Sequence, residues 1–298
     1  MVYLLLSIIS STCIFLIFKQ FEKHGINNLQ AIVVNYFTAA IIGFIVGGKQ
    51  IEIAVIVTKS WFVVAVVIGI LFITMFNVIA ITAQKLGVAA ATVASKVSLI
   101  IPVIFAVFLY DDSMPIPKAA GVVMALFSVF LTFYPPVGGM QLQMRKYFFL
   151  PVILFFGTGL LDTIVKFAQD RLLTESEFSA FSSILFIVAG FIGLLAVAFD
   201  AIQTRVSGQK ETRCTVYLLK NVLAGIVLGI PNYGSIYFLL KTFENSNMES
   251  SVIFPVNNMA IVGLSSLAAF FLFKEKLSII NSLGIALAIL SIAIISFS

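Results

Sequence analysis

LYDDSMPIPKAAGVVMALFSV (residues 109–129) and LFKEKLSIINSLGIALAILSI (residues 272–292) align without a gap at an offset of 163 residues. Leu109, Ile116, Gly121, Ala125 and Ser128 meet Leu272, Ile279, Gly284, Ala288 and Ser291, and Asp112 meets Glu275. Each stretch turns an acidic corner and then runs into an apolar segment. Its small residues recur four and three apart, which puts them on one helix face. Small residues on a face let a neighbouring helix approach closely, so Gly121/Ala125/Ser128 and Gly284/Ala288/Ser291 read as packing surfaces. The pairs Gly43/Gly47 and Gly225/Gly229 read the same way.

The rest of the chain makes a membrane protein of these segments. Of 298 residues, 61% are hydrophobic and 10% charged, with a mean hydropathy of +1.13. Soluble domains average about 45–50% apolar and about 25% charged. The apolar runs are continuous and about twenty residues long, which suits helices in lipid rather than the alternating ten-residue strands of a barrel. Charged or turn-rich breaks leave ten predicted spans: 2–18, 29–47, 60–83, 88–110, 118–134, 148–167, 178–199, 215–240, 250–273 and 278–297. The start carries no basic residue before its apolar run and no Ala-x-Ala site, so it reads as the first span and not as a processing signal. Lys and Arg favour the odd-numbered connections, with Lys19, Lys23, Lys85, Arg145, Lys146, Arg205, Lys210, Arg213, Lys274 and Lys276 against Lys49, Lys59, Lys118, Arg171 and Lys241. That bias places both termini outside. The net charge of +5 needs no nucleic acid to explain it.

A second match strengthens the first. STCIFLIFKQF (11–21) lies against TGLLDTIVKFA (158–168), so that Lys19 meets Lys166. Farther on, Gly43–Phe44 meets Gly190–Phe191 at the same offset. The chain therefore reads as an all-α membrane protein of ten transmembrane helices in a 5+5 inverted-topology repeat, residues 1–140 and 141–298. Five is odd, so the second copy enters from the opposite face, and such repeats build transporters with a site between the copies.

With these features the chain resembles the drug/metabolite transporter superfamily, in its ten-helix EamA branch. The matching features are the five-plus-five plan, the corners "DD" (111–112) and "KEK" (274–276), and the small-residue helix after each. FLIFKQFEKHG (15–25) and DTIVKFAQD (162–170) also resemble the first helix of small multidrug-resistance exporters, which a lysine closes. In that group an ion-coupling glutamate lies about two turns before the lysine, where this chain has Ser11 and Thr158. The resemblance implies a permease of a cell inner membrane.

Residues for chemistry follow from misplaced polarity. Lys96 lies seven or eight residues into its span, roughly 10–12 Å deep, in a setting where a lysine costs about 2.5–3.5 kcal/mol. It shares a stripe with Thr92, and a cationic site for a carboxylate or phosphate is its functional reading; the plain one is a snorkelling or structurally paired lysine. Asp162 is the acid well inside a span, four residues before Lys166. The plain reading is an intrahelical pair, the functional one an ion relay, which makes Asp162 and Lys166 the ion-coupling candidates. LGIPNYGSIYF (228–238) predicts a helix broken at Pro231, presenting Asn232 and Tyr233. In the second copy Met259 stands at the place of Lys96, Asn258 at that of Ser95 and Asn257 at that of Ala94. Asn77, Asn35 and Tyr36 complete the substrate-binding candidates; the plain reading of any one asparagine is a bond to a neighbouring helix.

An enzyme is not expected. The one histidine, His24, lies in the first connection, and a membrane aspartyl protease needs two buried aspartates where Asp162 alone qualifies. No metal-ligand cluster, Gly-rich phosphate loop or cysteine pairing is read, and no cofactor. The expectation is a secondary active transporter moving a small polar metabolite across the bacterial cytoplasmic membrane by alternating access, with an amino acid or organic acid favoured because Lys96 repels lipophilic cations. Its partners are that small molecule, a coupling ion and membrane lipid. The alternatives are a proton-coupled multidrug or cation exporter, and behind it a membrane-embedded enzyme or a channel.

Overall fold

The computed structural model of the chain describes residues 1–47, 57–110, 115–132, 146–173, 177–206, 215–245, 250–275 and 277–297. All regular structure among them is helical: α1 (Val2–His24), α2 (Asn28–Gly47), α3 (Phe62–Leu86), α4 (Val88–Val97), α5 (Ile100–Tyr110), α6 (Ile116–Thr132), α7 (Phe149–Arg171), α8 (Phe178–Val206), α9 (Thr215–Asn245), α10 (Ser250–Phe273) and α11 (Ile279–Phe297). Taking α4 and α5 as one interrupted rod gives ten rods. Among the described residues nine are long and apolar enough to cross a membrane, and α6 is a shorter apolar helix. Apolar side chains also cover the outside, as Phe156, Leu195 and Phe271 illustrate. Water would not tolerate that surface and lipid does, so this is an integral membrane protein.

The helices pack in two compact units. The first holds residues 1–20, 78–163 and 234–298, and the second residues 21–77 and 164–233. Each unit draws segments from both sides of residue 140. In the first, α11 lies along α6, and α10 packs on α11 and α4. Its core joins Val93, Val97 and Ile100 to Val122, Ala125, Phe155, Val262, Ala288 and Ile292. In the second, α2 lies along α8, and Trp61, Ala65 and Ile68 pack with Ala168, Phe181, Ile184 and Leu185.

The small-residue faces do what their spacing predicts. A Cβ placed on Gly284 would lie 2.5 Å from the Thr132 backbone nitrogen, and one on Gly121 would lie 2.8 Å from Ile295 Cγ1. Gly121 and Gly284 are equivalent at the 163-residue offset, and so are Thr132 and Ile295. The two contacts are therefore reciprocal. Ser128 and Ser291 both donate to the carbonyl three residues back, at 2.7 and 2.8 Å. In the second unit a Cβ on Gly43 would meet Ser183 Oγ at 3.4 Å, and one on Gly190 would meet the Phe37 ring at 3.2 Å. At the offset joining Gly43 to Gly190, Ser183 corresponds to Tyr36, so these contacts are reciprocal to within one residue. Gly225 and Gly229 bring α9 against Ala31, Val34 and Thr38 of α2. Asp112 lies outside the described residues, as does the side-chain environment of Gly47.

Two prolines behave contrary to expectation. The predicted break at Pro231 is not one: α9 runs unbroken for 31 residues with Pro231 inside. Pro231 removes a single donor, and the packing of Gly225 and Gly229 on α2 holds the helix in line. The interruption falls instead within the predicted span 88–110, at Ser98–Leu99. Pro102 has no N–H for the Ser98 carbonyl and crowds it. That carbonyl takes the Ile101 N–H at 2.9 Å in a tighter turn. Ser98 Oγ donates to the Ser95 carbonyl at 2.6 Å, satisfying one acceptor the break strands.

Candidate functional site

Lys96 occupies the last turn of α4, immediately before the interruption. Its positive charge sits at the carbonyl end of a helix, where the peptide dipoles favour a cation. Val88 begins α4, so Lys96 is about 12 Å along its rise. Its side chain is half-buried, while Thr92 on the same stripe is fully buried and donates to its own helix at the Val88 carbonyl.

Helix α7 is fastened to the interruption. The Thr158 and Ser98 hydroxyl oxygens lie 2.9 Å apart, and Gly159 leaves room for Ile101, whose side chain occupies the space a Cβ would need. Asp162 is one turn beyond Thr158 on the same face of α7. Its side chain is exposed. Lys96 and Asp162 belong to the same unit and lie within electrostatic reach of each other. Among the described residues neither side chain makes a hydrogen bond or a direct ion pair. Lys166 is exposed and falls in the second unit.

A second polar cluster lies at the start of α4. Glu275 accepts the Val88 N–H at 3.0 Å and pairs with Lys19 at 3.8 Å. Lys19 Nζ also donates to the Gln84 carbonyl at 2.9 Å, and Gln84 Nε2 donates to the Phe18 carbonyl at 3.0 Å. Gly87, the single residue between α3 and α4, has φ +103°, and a Cβ there would meet Glu275 Oε2 at 2.8 Å. The carboxylate from the KEK corner therefore caps α4 in place of a local N-cap side chain.

The remaining candidates divide between the units. Asn257 and Asn258 share the first with Lys96 and Asp162, and Asn35, Tyr36, Asn77, Asn232 and Tyr233 belong to the second. Asn257 is buried, its side-chain oxygen without a partner among the described residues, and Asn258 is half-buried. Asn77 donates to the Ile73 carbonyl at 2.9 Å on its own helix. The Tyr233 ring lies against Gly43. Asn35 and Tyr36 are fully buried, and among the described residues neither the Asn35 amide nor the Tyr36 hydroxyl finds a partner. Phe72, Phe76 and Phe186 surround the Tyr36 ring. Sequence reasoning passed over Ser98, the hinge of the interruption; Pro102 four residues on was the available signal. It also passed over Asn221, which accepts the Asn27 N–H at 3.0 Å and donates to Gln30 Oε1 at 2.7 Å, tying α2 to α9.

No family model matches the chain. It is 23% identical over 293 residues to an uncharacterized protein of Haemophilus influenzae, covering 97% of this chain and 95% of that one. A solved crystal structure of a protein matches with a TM-score of 0.63 at 14% identity, over 98% of this chain and 94% of the other. That likeness concerns the fold alone.

Proposed function

We propose that the protein is a secondary active transporter that moves a small polar metabolite, with an amino acid or organic acid favoured, across a bacterial cytoplasmic membrane by alternating access. The observation that carries this reading is the interrupted helix α4/α5. Its broken backbone packs against α7 at Thr158 and Gly159, with Lys96 two residues before Ser98 and Asp162 one turn beyond Thr158. Interrupted helices in membranes occur where they line a cavity or a binding site, and intramembrane charges are retained for function. The reciprocal contacts of Gly121 with Ile295 and of Gly284 with Thr132 support a 5+5 inverted repeat, the architecture in which such sites arise. Together with the segments 109–129 and 272–292 they also support membership of the EamA branch of the drug/metabolite transporters.

Proton-coupled export of a cationic drug is the second reading, favoured by the exposed carboxylate of Asp162 on a membrane-spanning helix. The two differ over Lys96, which repels a cation and attracts a carboxylate. Purified protein in proteoliposomes separates them. Lys96→Met is expected to insert and fold, to lose flux of a carboxylate-bearing substrate, and to recover part of it as Lys96→Arg. Undiminished flux by Lys96→Met at equal protein level rejects Lys96 as the substrate anchor.

A further inference from the structure

α4 is a short rod with a joint at each end. Its ten residues start at Gly87, the single residue that links it to α3, and stop at the Ser98–Leu99 turn before α5. Gly87 has φ +103°, a backbone conformation that belongs to glycine. Pro102 keeps the far joint open by withholding a donor from the Ser98 carbonyl. The second copy has neither joint. At the 163-residue offset Gly87 and Pro102 correspond to Ser250 and Ser265, and α10 runs through from Ser250 to Phe273 as one helix. Within its unit α4 packs against α6, α10 and α11, and its buried side chains include Ala89, Ala90, Ala91 and Ala94. Alanine makes shallow ridges that interlock little, so such a helix tilts or slides with little repacking of its neighbours.

The start of α4 is held by a side chain. Glu275 accepts the Val88 N–H at 3.0 Å and lies 3.8 Å from Lys19 Nζ of α1. Its carboxylate also covers Gly87, where a Cβ would come within 2.8 Å of Oε2. The preceding residue, Lys274, takes φ +53°, an unfavourable conformation for a residue with a Cβ. The Glu275 N–H returns to the Ala269 carbonyl at 3.3 Å, so the corner after α10 bends to aim the carboxylate at the joint. The Lys19 and Glu275 side chains are 23% and 14% exposed, and water can take over their hydrogen bonds when they part.

We propose that α4 pivots: its Gly87 end swings about the joint at Ser98, which Thr158 holds to α7, and Glu275 is the latch, seated on the Gly87 hinge and released when its carboxylate leaves the Val88 N–H. The swing would reorient the rod that carries Lys96. The pivot does not rest on the transporter reading, and no substrate enters its test.

The test uses the full chain in detergent, with Cys13→Ser and Cys214→Ser as background. Single cysteines are introduced as Ala91→Cys in the first turn of α4 and as Ala125→Cys in α6, both at fully buried positions. Their modification by N-ethylmaleimide is followed by intact mass. With the latch in place both are expected to react slowly. Glu275→Ala should speed the reaction at position 91 by about tenfold or more, the weight of one charge-assisted hydrogen bond, and leave position 125 slow. Glu275→Gln, which keeps an acceptor for Val88 and loses the charge facing Lys19, should fall between, and it carries the test if Glu275→Ala does not fold. Adding Pro102→Ala should return position 91 toward its slow rate, because a rod continuous with α5 has no far joint to turn on. Equal acceleration at both positions assigns the effect to general loosening and overturns the pivot. Acceleration at position 91 that survives Pro102→Ala assigns it to unwinding of the first turn and overturns the pivot as well. No acceleration in either Glu275 variant rejects Glu275 as the latch.

Discussion

Asn35 and Tyr36 stand next to each other on α2, fully buried and, among the described residues, without partners for their side-chain polar atoms. A buried group with an unmade hydrogen bond costs about 1–3 kcal/mol. Tyr36→Phe keeps the ring among Phe72, Phe76 and Phe186 and removes the idle hydroxyl, so the melting temperature of the purified protein is expected to rise; a fall would show that the hydroxyl is engaged. Asn35→Leu is expected to act in the same direction, by a larger amount, since both of its amide atoms are idle. Sequence could point to these residues as polar groups in an apolar run, but not say that they lack partners, which depends on what other helices bring. The same limit applies to Lys96. Its depth was legible, because a single charge in residues 88–110 stands out against its neighbours. The helix that packs beside it was not, because the contact of Thr158 with Ser98 joins residues 60 apart in the chain and has no local signature.

Pro102 and Pro231 show how far helix continuity can be read from residues. Both lie in apolar segments, and the flanking Gly229 and Gly234 made Pro231 the stronger signal. The helix instead breaks before Pro102, where Ser98 supplies a hydroxyl for a stranded carbonyl and Ile101 closes a tight turn. Pro102→Ala restores the donor missing opposite Ser98 and should lengthen α4 into α5. The expected result is reduced transport with thermal stability equal to or above wild type, read from counterflow and melting of the same preparation. At the other end of α4, Glu275 substitutes for a local cap. Glu275→Ala removes the acceptor of the Val88 N–H and the partner of Lys19, and should destabilise the protein by about 1–2 kcal/mol. Lys19→Met should cost less, because Glu275 keeps its bond to Val88; equal losses would assign the effect to the ion pair. The KEK corner was legible as an acidic corner, but its target at Val88 is 187 residues away in the chain and has no local signature.

For the molecule as a whole, composition and segment length were enough to establish an integral membrane protein, and nine of the ten predicted spans coincide with long apolar helices. The tenth, 118–134, coincides with α6, which ends at Thr132 where the described residues stop. What the sequence could not supply is how the chain partitions, since both units interleave pieces from before and after residue 140. The small-residue faces of α6 and α11 and the pair Gly225/Gly229 were legible, because glycine at helical spacing leaves few other readings. Gly284→Leu and Gly121→Leu should both lower the melting temperature, Gly284→Leu the more, because its Cβ meets backbone at Thr132 while that of Gly121 first meets the Ile295 side chain. Overpacking of this kind costs about 1–3 kcal/mol or more. The reciprocity of the two contacts has one more consequence. A surface that receives from its partner what it presents to it is complete with two members and leaves nothing to recruit a third. It asks only for two matching segments, whether or not one peptide chain joins them. A gene split between Thr132 and Lys146 should therefore yield two fragments that find each other in the membrane and copurify, and Gly284→Leu in the second fragment should prevent it.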